Sequence, residues 1–315
     1  TEGSELPASV EAKLSSGWLR DRLGFQGILT SDDLWYEHVV ERFGAEEVAV
    51  RAFEAGHDMI LKPQDPVATI EALVEAVQSG RISEGRVEDA VRRLLTLKAR
   101  LGLHRHRFVD EAGVGELVGT PPQQALVQEV ADLSLTLLKN DGVRPLATGQ
   151  LGRLVNISIQ KGQTEPSPVQ LAATLAAAYP GARSFTLRPG TGPAVFEGAM
   201  AAATEADVVV FSLVVPRNRL GDTTPIREND RAFLRRVMAA KPGRVVAMAY
   251  GNPHLIREIP DVPAFLVGYG ERGWYGNQPV YFDSFGRVLT GDLDPAGRLP
   301  VFVSDEYPIG SGVGY

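Results

Sequence analysis

Apolar positions follow two rhythms along this chain. Downstream of residue 150, short apolar runs rich in Val, Ile and Leu mark strands over 154–159, 184–187, 208–213, 245–250 and 264–267. Helical spacing fills the gaps, over 169–178, 194–203, 226–240 and 278–289. Strands that are apolar on both faces and separated by helices predict a mostly parallel sheet covered on both sides. Upstream the pattern is sparser. Residues 12–23 have helical spacing and Gly24 ends it. A short buried strand over 27–30 precedes a helix over 46–55 with Val48, Ala52 and Phe53 on one face. A second short buried strand covers 58–61. Pro66 suits the first turn of a helix that turns Ile70, Leu73, Val74 and Val77 inward. Ser83 caps a long helix through Val87, Val91, Leu94, Leu95 and Ala99.

The rhythm weakens from His104 to the Pro121-Pro122 pair, and residues 105–122 read as a surface linker. A helix over 123–133 and a strand over 135–140 restart the order. The fold class is therefore α/β, with a short β/α piece over 1–104 and an α/β sandwich over 123–315. Two strands with their helices leave open sheet edges and half-covered cores. The first piece is expected to complete its sheet with a segment or chain not written here.

Composition narrows the chemistry. The chain has 315 residues, 44% hydrophobic and 23% charged, ample for two cores. A net charge of −7 argues against nucleic acid as a partner. With no cysteine, disulfides, thiolate catalysis and cysteine metal sites are excluded. No apolar run approaches a membrane span, and no signal segment is written. The first residue is Thr1 rather than Met, so processing or cutting is expected.

One segment carries candidate chemistry. Ser31-Asp32-Asp33-Leu34 directly follows the apolar pair Ile28-Leu29. Carboxylates at the C-terminal mouth of a parallel strand are where α/β enzymes place reacting groups. Asp32 reads either as a reacting carboxylate or as a cap for the next helix. Asp33 reads as a cap or a partner for a basic residue. Trp35 and Tyr36 offer flat faces for a sugar, with core packing the alternative for Trp35. Glycines at Gly190-Thr191-Gly192 and Gly268-Tyr269-Gly270 lack dinucleotide spacing, and no cluster of metal-ligand type is present, so neither cofactor nor metal is expected.

Four motifs in register resemble glycoside hydrolase family 3. Pro7-Ala8-Ser9, Leu19-Arg20-Asp21-Arg22-Leu23-Gly24-Phe25-Gln26-Gly27 and Ser31-Asp32-Asp33-Leu34 resemble its nucleophile region. Ala55-Gly56-His57-Asp58-Met59-Ile60-Leu61 is similar to its last barrel strand. Residues 134–146 resemble the start of its C-terminal domain. Pro295-Ala296-Gly297-Arg298-Leu299-Pro300-Val301 and Tyr307-Pro308-Ile309-Gly310-Ser311-Gly312 resemble its end.

The resemblance implies a (β/α)₈-type barrel, of which residues 1–104 are the last part, followed by the sandwich domain. It implies a retaining glycosidase with Asp32 as nucleophile, Asp33 in support, and Trp35 and Tyr36 against the sugar. The Asp-Asp-Leu form points to β-N-acetylhexosaminidase, acting on terminal N-acetylglucosamine, with β-glucosidase as the alternative. A catalytically inactive remnant or carbohydrate-binding module is the alternative of another class. The acid/base of the hexosaminidase type is a histidine on an earlier barrel loop. None of His38, His57, His104, His106 and His254 stands in that motif. In the glucosidase type it is a glutamate of the C-terminal domain, for which Glu228 and Glu271 are the candidates. The isolated chain is expected to be inactive.

Overall fold

The chain divides into two units, Thr1–Gly113 and Val114–Tyr315. The structure is a computed structural model that describes residues 6–35, 37–143, 152–160, 169–215, 226–269 and 279–313. In the first unit the expected N-terminal helix is present as Lys13–Arg22, wound with π-type hydrogen bonds that the apolar spacing does not signal. Gly24 follows it at φ +67°, a conformation a Cβ would oppose. Strands β1 (Thr30–Asp33) and β2 (Met59–Leu61) pair in parallel.

Both strands depart from expectation. β1 starts where the expected strand over 27–30 ends, so the two aspartates lie within it rather than after it. Pairing with β2 overrides the poor strand preference of Ser and Asp. β2 is not buried, since Met59 and Leu61 are each 41% exposed. Among the described residues these two strands form a sheet of their own, and nothing there covers its far side.

Helices α1 (Glu37–Phe43) and α2 (Ala45–Glu54) meet at Gly44. α2 is buried on two sides. Val48, Ala49 and Ala52 pack with Val10, Leu34 and Val39, while Val50 and Phe53 pack with Ala76, Ile82 and Ala90. Asp65 opens α3 (Pro66–Gln78) by accepting the Val67 amide at 2.8 Å, with Pro66 in the first turn. Ser83 opens α4 (Glu84–Arg100) by accepting the Arg86 amide at 3.2 Å. The apolar period of both helices is as expected, and Leu73 and Val77 turn inward onto the core around Phe53 and Ala76, but the rest of the stripe does not. Ile70, Val74, Val91 and Leu95 face outward, exposed. An amphipathic stripe shows which side is apolar and not whether a partner covers it. Ile70 and Val74 line an open apolar groove of about 510 Å³ with Phe53, Leu73, Val77 and Val87.

The second unit begins inside the stretch read as linker, with the short helix α5 (Val114–Leu117). The Pro121-Pro122 pair does not break the chain there. It opens α6 (Pro121–Ser134), where the missing N–H groups are harmless, and Thr120 and Gln123 form a capping box. The sheet follows the order β3-β8-β7-β6-β4-β5. Its strands are β3 (Thr136–Asn140), β4 (Leu154–Gln160), β5 (Arg183–Leu187), β6 (Val208–Val214), β7 (Val245–Tyr250) and β8 (Ala264–Gly268). All pair in parallel except β3, which runs antiparallel to β8 at one edge.

Helices α7 (Val169–Ala178), α8 (Pro193–Glu205), α9 (Glu228–Ala240) and α10 (Pro279–Thr290) fill the crossovers and the end. One face of the sheet packs Ile157, Phe211 and Ala247 against Ala199 of α8 and Leu234 of α9. The other packs Val210, Val246 and Leu266 against Leu175 of α7 and Phe285 of α10. Both faces of the central strands are buried, and among their few polar side chains Ser212 donates its Oγ–H to Asn156 Oδ1 at 2.6 Å.

The β3 edge is closed by the C-terminal segment. Gly297 donates to the Leu135 carbonyl at 2.9 Å and Val313 to the Leu137 carbonyl at 2.7 Å. A Cβ on Gly297 would lie 2.3 Å from the Ser134 carbonyl oxygen, so only glycine fits. The Pro-Ala-Gly-Arg-Leu string is thus a seal over an otherwise open edge.

Candidate active site

Asp32 and Asp33 end β1, and the pairing there is irregular. Thr30 stands opposite Met59 but Asp33 stands opposite Leu61, so β1 carries one more residue than β2 across this step. An extra residue bends a strand and re-aims its side chains. Ser31 repairs the ladder. Its buried Oγ accepts the Leu61 amide at 2.9 Å, and the Leu34 amide donates to the Leu61 carbonyl at 3.2 Å. Asp32 is left exposed at the strand end. Its Oδ1 accepts the backbone amide of Asp33 at 2.8 Å, which fixes the rotation of the carboxylate.

Asp33 faces a cation. Its Oδ2 accepts from Lys62 Nζ at 3.2 Å and from the Trp35 indole Nε1 at 3.3 Å. The Lys62 ammonium also lies 5.4 Å from the centroid of the Trp35 ring, within cation–π range. Trp35 is 55% exposed, so it is not a core residue. Tyr36 lies outside the described residues. Lys62 has φ +46°, and among the described residues it is the one non-glycine with positive φ. That conformation costs about 1–2 kcal/mol for a residue with a Cβ. Strain of this kind collects at functional sites, where neighbouring contacts hold it.

Below the strand ends lies a charged hub. The Asp58 carboxylate is fully buried and meets Arg20 at 2.5 Å, Arg93 at 2.9 Å and Arg86 at 3.3 Å. Its Oδ2 also accepts the Leu29 amide at 3.0 Å. Arg20 comes from the N-terminal helix, and Arg86 and Arg93 come from α4. One carboxylate therefore ties two helices to the start of β1. Arg86 stacks on Phe53 at 4.2 Å, and burial pulls its pKa down against the attraction of Asp58. Next to the hub, His57 is buried and its Nδ1–H donates to the Ala52 carbonyl at 3.0 Å. Burial holds the imidazole below its usual pKa, in the neutral form.

The remaining candidates separate clearly. Glu228 starts α9 and pairs with Arg231, which holds its carboxyl below the usual range. An acid that must carry a proton is poorly served there. Glu271 lies outside the described residues. His104 and His106 are exposed in turns after α4. Among the described residues no group of three or more His, Cys, Asp or Glu is placed to hold a metal, and no helix is long and apolar enough to cross a membrane.

Reading the sequence for chemistry passed over Ser31, Asp58, Arg20 and Lys62. Two signals were present. Lys62 stands between a strand and Pro63, where the chain must turn sharply. Asp58 is a charge directly ahead of an apolar strand, a place that demands partners.

Comparison with known proteins bears on the family of the chain. The family model described as Glycosyl hydrolase family 3 N terminal domain matches residues 1–97, and the one described as Glycosyl hydrolase family 3 C-terminal domain matches residues 135–308. The chain belongs to glycosyl hydrolase family 3. A beta-N-acetylglucosaminidase/beta-glucosidase of Cellulomonas fimi is 28% identical, covering 94% of this chain and 53% of that protein. The solved family 3 beta-N-acetylglucosaminidase from Paenibacillus sp. str. FPU-7 superposes with a TM-score of 0.76 at 27% identity. That match covers 94% of this chain and 55% of the Paenibacillus chain. A beta-glucosidase from Listeria innocua, at 19% identity and TM-score 0.73, shares the fold over 98% of this chain and 50% of its own. The chain thus spans about half the length of these family 3 relatives.

Proposed function

We propose that this chain is part of a retaining glycosidase that removes β-linked terminal sugars, with N-acetylglucosamine as the preferred sugar and Asp32 as the nucleophile. The observation that carries the reading is the bulge at Ser31–Asp32. It leaves an oriented carboxylate exposed at the C-terminal end of a parallel strand, where barrel enzymes place their reacting groups. In the first step an Asp32 oxygen bonds to the anomeric carbon as the glycosidic bond breaks, and the leaving oxygen takes a proton from the acid/base. In the second, water bonds to that carbon, gives its proton to the same acid/base, and releases Asp32. Asp33 is a supporting residue, neutralised by Lys62. Trp35 and Tyr36 form part of the sugar site.

The first unit is the closing part of a (β/α)₈-type barrel, and the acid/base belongs to its earlier part. The exposed faces of Met59, Leu61, Ile70 and Val74 support this, as does the half-length coverage of the relatives. On this reading the isolated chain turns over no aryl glycoside. A β-glucosidase is the second reading, favoured by the double name of the Cellulomonas fimi relative.

The test uses the full-length protein that contains this chain. A 5-fluoro N-acetylglucosaminyl fluoride, which keeps the 2-acetamido group, should form a long-lived ester, and peptide mapping should place it on Asp32. A label on any other carboxylate overturns the assignment. Turnover of neither N-acetylglucosaminide nor glucoside by the full-length protein would favour an inactive remnant or binding module.

A further inference from the structure

Three side chains beside Asp32 form a closed triangle. Asp33 accepts from Lys62 at 3.2 Å and from Trp35 at 3.3 Å, and the Lys62 ammonium lies 5.4 Å from the Trp35 ring centroid. Each corner contacts the other two. The triangle joins the end of β1 to the turn after β2, beyond the bulged ladder and the Ser31 Oγ bond that also tie these two strands. Lys62 holds its place with a positive φ. That turn brings a long side chain from the exit of β2 back over the exit of β1. The ammonium over the indole leaves much of the ring open to solvent, as its 55% exposure records.

We infer that Lys62 is a positioning residue that sets Trp35 as a fixed wall for the sugar beside Asp32. The inference rests on the reading of Asp32 as the nucleophile. Two constraints act on the indole together. The Asp33 carboxylate takes its N–H, which fixes the ring's edge. The ammonium sits against the ring, which fixes its plane. Without Lys62 the Asp33 carboxylate loses its cation, and the indole is held at one atom only. An exposed tryptophan tethered at one atom samples several rotamers, and ordering it falls to the incoming sugar. The loss is then one of binding, spread equally over substrate and transition state. Arginine in place of lysine keeps a charge that reaches both Asp33 and the ring.

A mutant cycle in the full-length protein tests this on 4-nitrophenyl N-acetyl-β-glucosaminide. Lys62→Met and Trp35→Ala should each raise KM about tenfold, the scale of one lost aromatic contact, with kcat changed little. The double variant should be no worse than Trp35→Ala alone, because both remove the same wall. Lys62→Arg should restore most of the binding. Lys62→Gly accepts the positive φ without strain, so it separates the side chain's role from folding and should match Lys62→Met. A KM for Lys62→Gly at the wild-type value overturns the inference, as does multiplication of the two losses in the double variant. Labelling of Asp32 in the wild-type protein is read separately. A label elsewhere overturns both the nucleophile and the wall, whereas a label on Asp32 with a wild-type KM in Lys62→Gly overturns the wall alone.

Discussion

The two units solve the same problem differently. In the second, six strands stack apolar side chains on both faces, and helices cover each face. Its antiparallel edge at β3 is sealed by the C-terminal segment through Gly297 and Val313. In the first, two strands carry polar residues at their ends, and the far sides of β2, α3 and α4 are open. What holds the first unit together is a buried charge cluster at Asp58 as much as its two small cores. A sheet covered on both faces can rely on burial. A sheet that ends in the open must rely on specific polar ties, and those ties bring the candidate nucleophile to its place.

The broadest way to break this contrast is to separate the units. Residues 114–315 expressed alone should unfold cooperatively in urea, whereas residues 1–113 alone should lack a cooperative transition and bind a hydrophobic dye. A sharp transition for the first unit alone would remove the contrast. Next in size is the hub. Asp58→Asn leaves three guanidinium groups without their counter-charge, and should destabilise the first unit by about 3–5 kcal/mol while leaving the second unchanged. Hydrogen exchange of the full-length protein in mild denaturant, followed separately in each unit, reads the difference.

The smallest effect concerns pH. His57 is held neutral by burial, so its folded-state pKa lies below its unfolded value. Below about pH 6.5 the unfolded chain takes up a proton that the folded chain refuses, and stability falls with pH from there down to the folded value. His57→Gln should flatten that fall for the first unit and not for the second. Unchanged pH dependence would show that His57 is not the group responsible.

The same contrast explains what the sequence made visible. The strands of the second unit were legible because short, β-branched-rich apolar runs at 208–211 and 245–250, set between helical patterns, suit a strand buried on both faces. Helix starts at Pro66 and Ser83 were legible because first-turn and cap preferences are local chemistry, although the Asp65 cap before Pro66 was not read. The bulge at Asp32 was not, since register belongs to a pair of strands and β2 lies far along the chain. The Asp58 hub was not, because its arginines come from both sides of it in sequence. The outward turn of Ile70 and Val74 was not, because periodicity marks an apolar side without naming what covers it. The family motifs led to Asp32. The contacts that orient it had no motif of their own.

The most direct test of the central claim removes the Asp32 carboxylate and supplies another nucleophile. In the full-length protein, Asp32→Gly should lose at least about a thousandfold in kcat, the scale seen when a reacting group is deleted. Added azide should restore turnover and yield the α-glycosyl azide, because it attacks from the face Asp32 has left. A variant that keeps turnover within about tenfold of wild type without azide would contradict the account, since a covalent mechanism cannot run at that rate without its nucleophile.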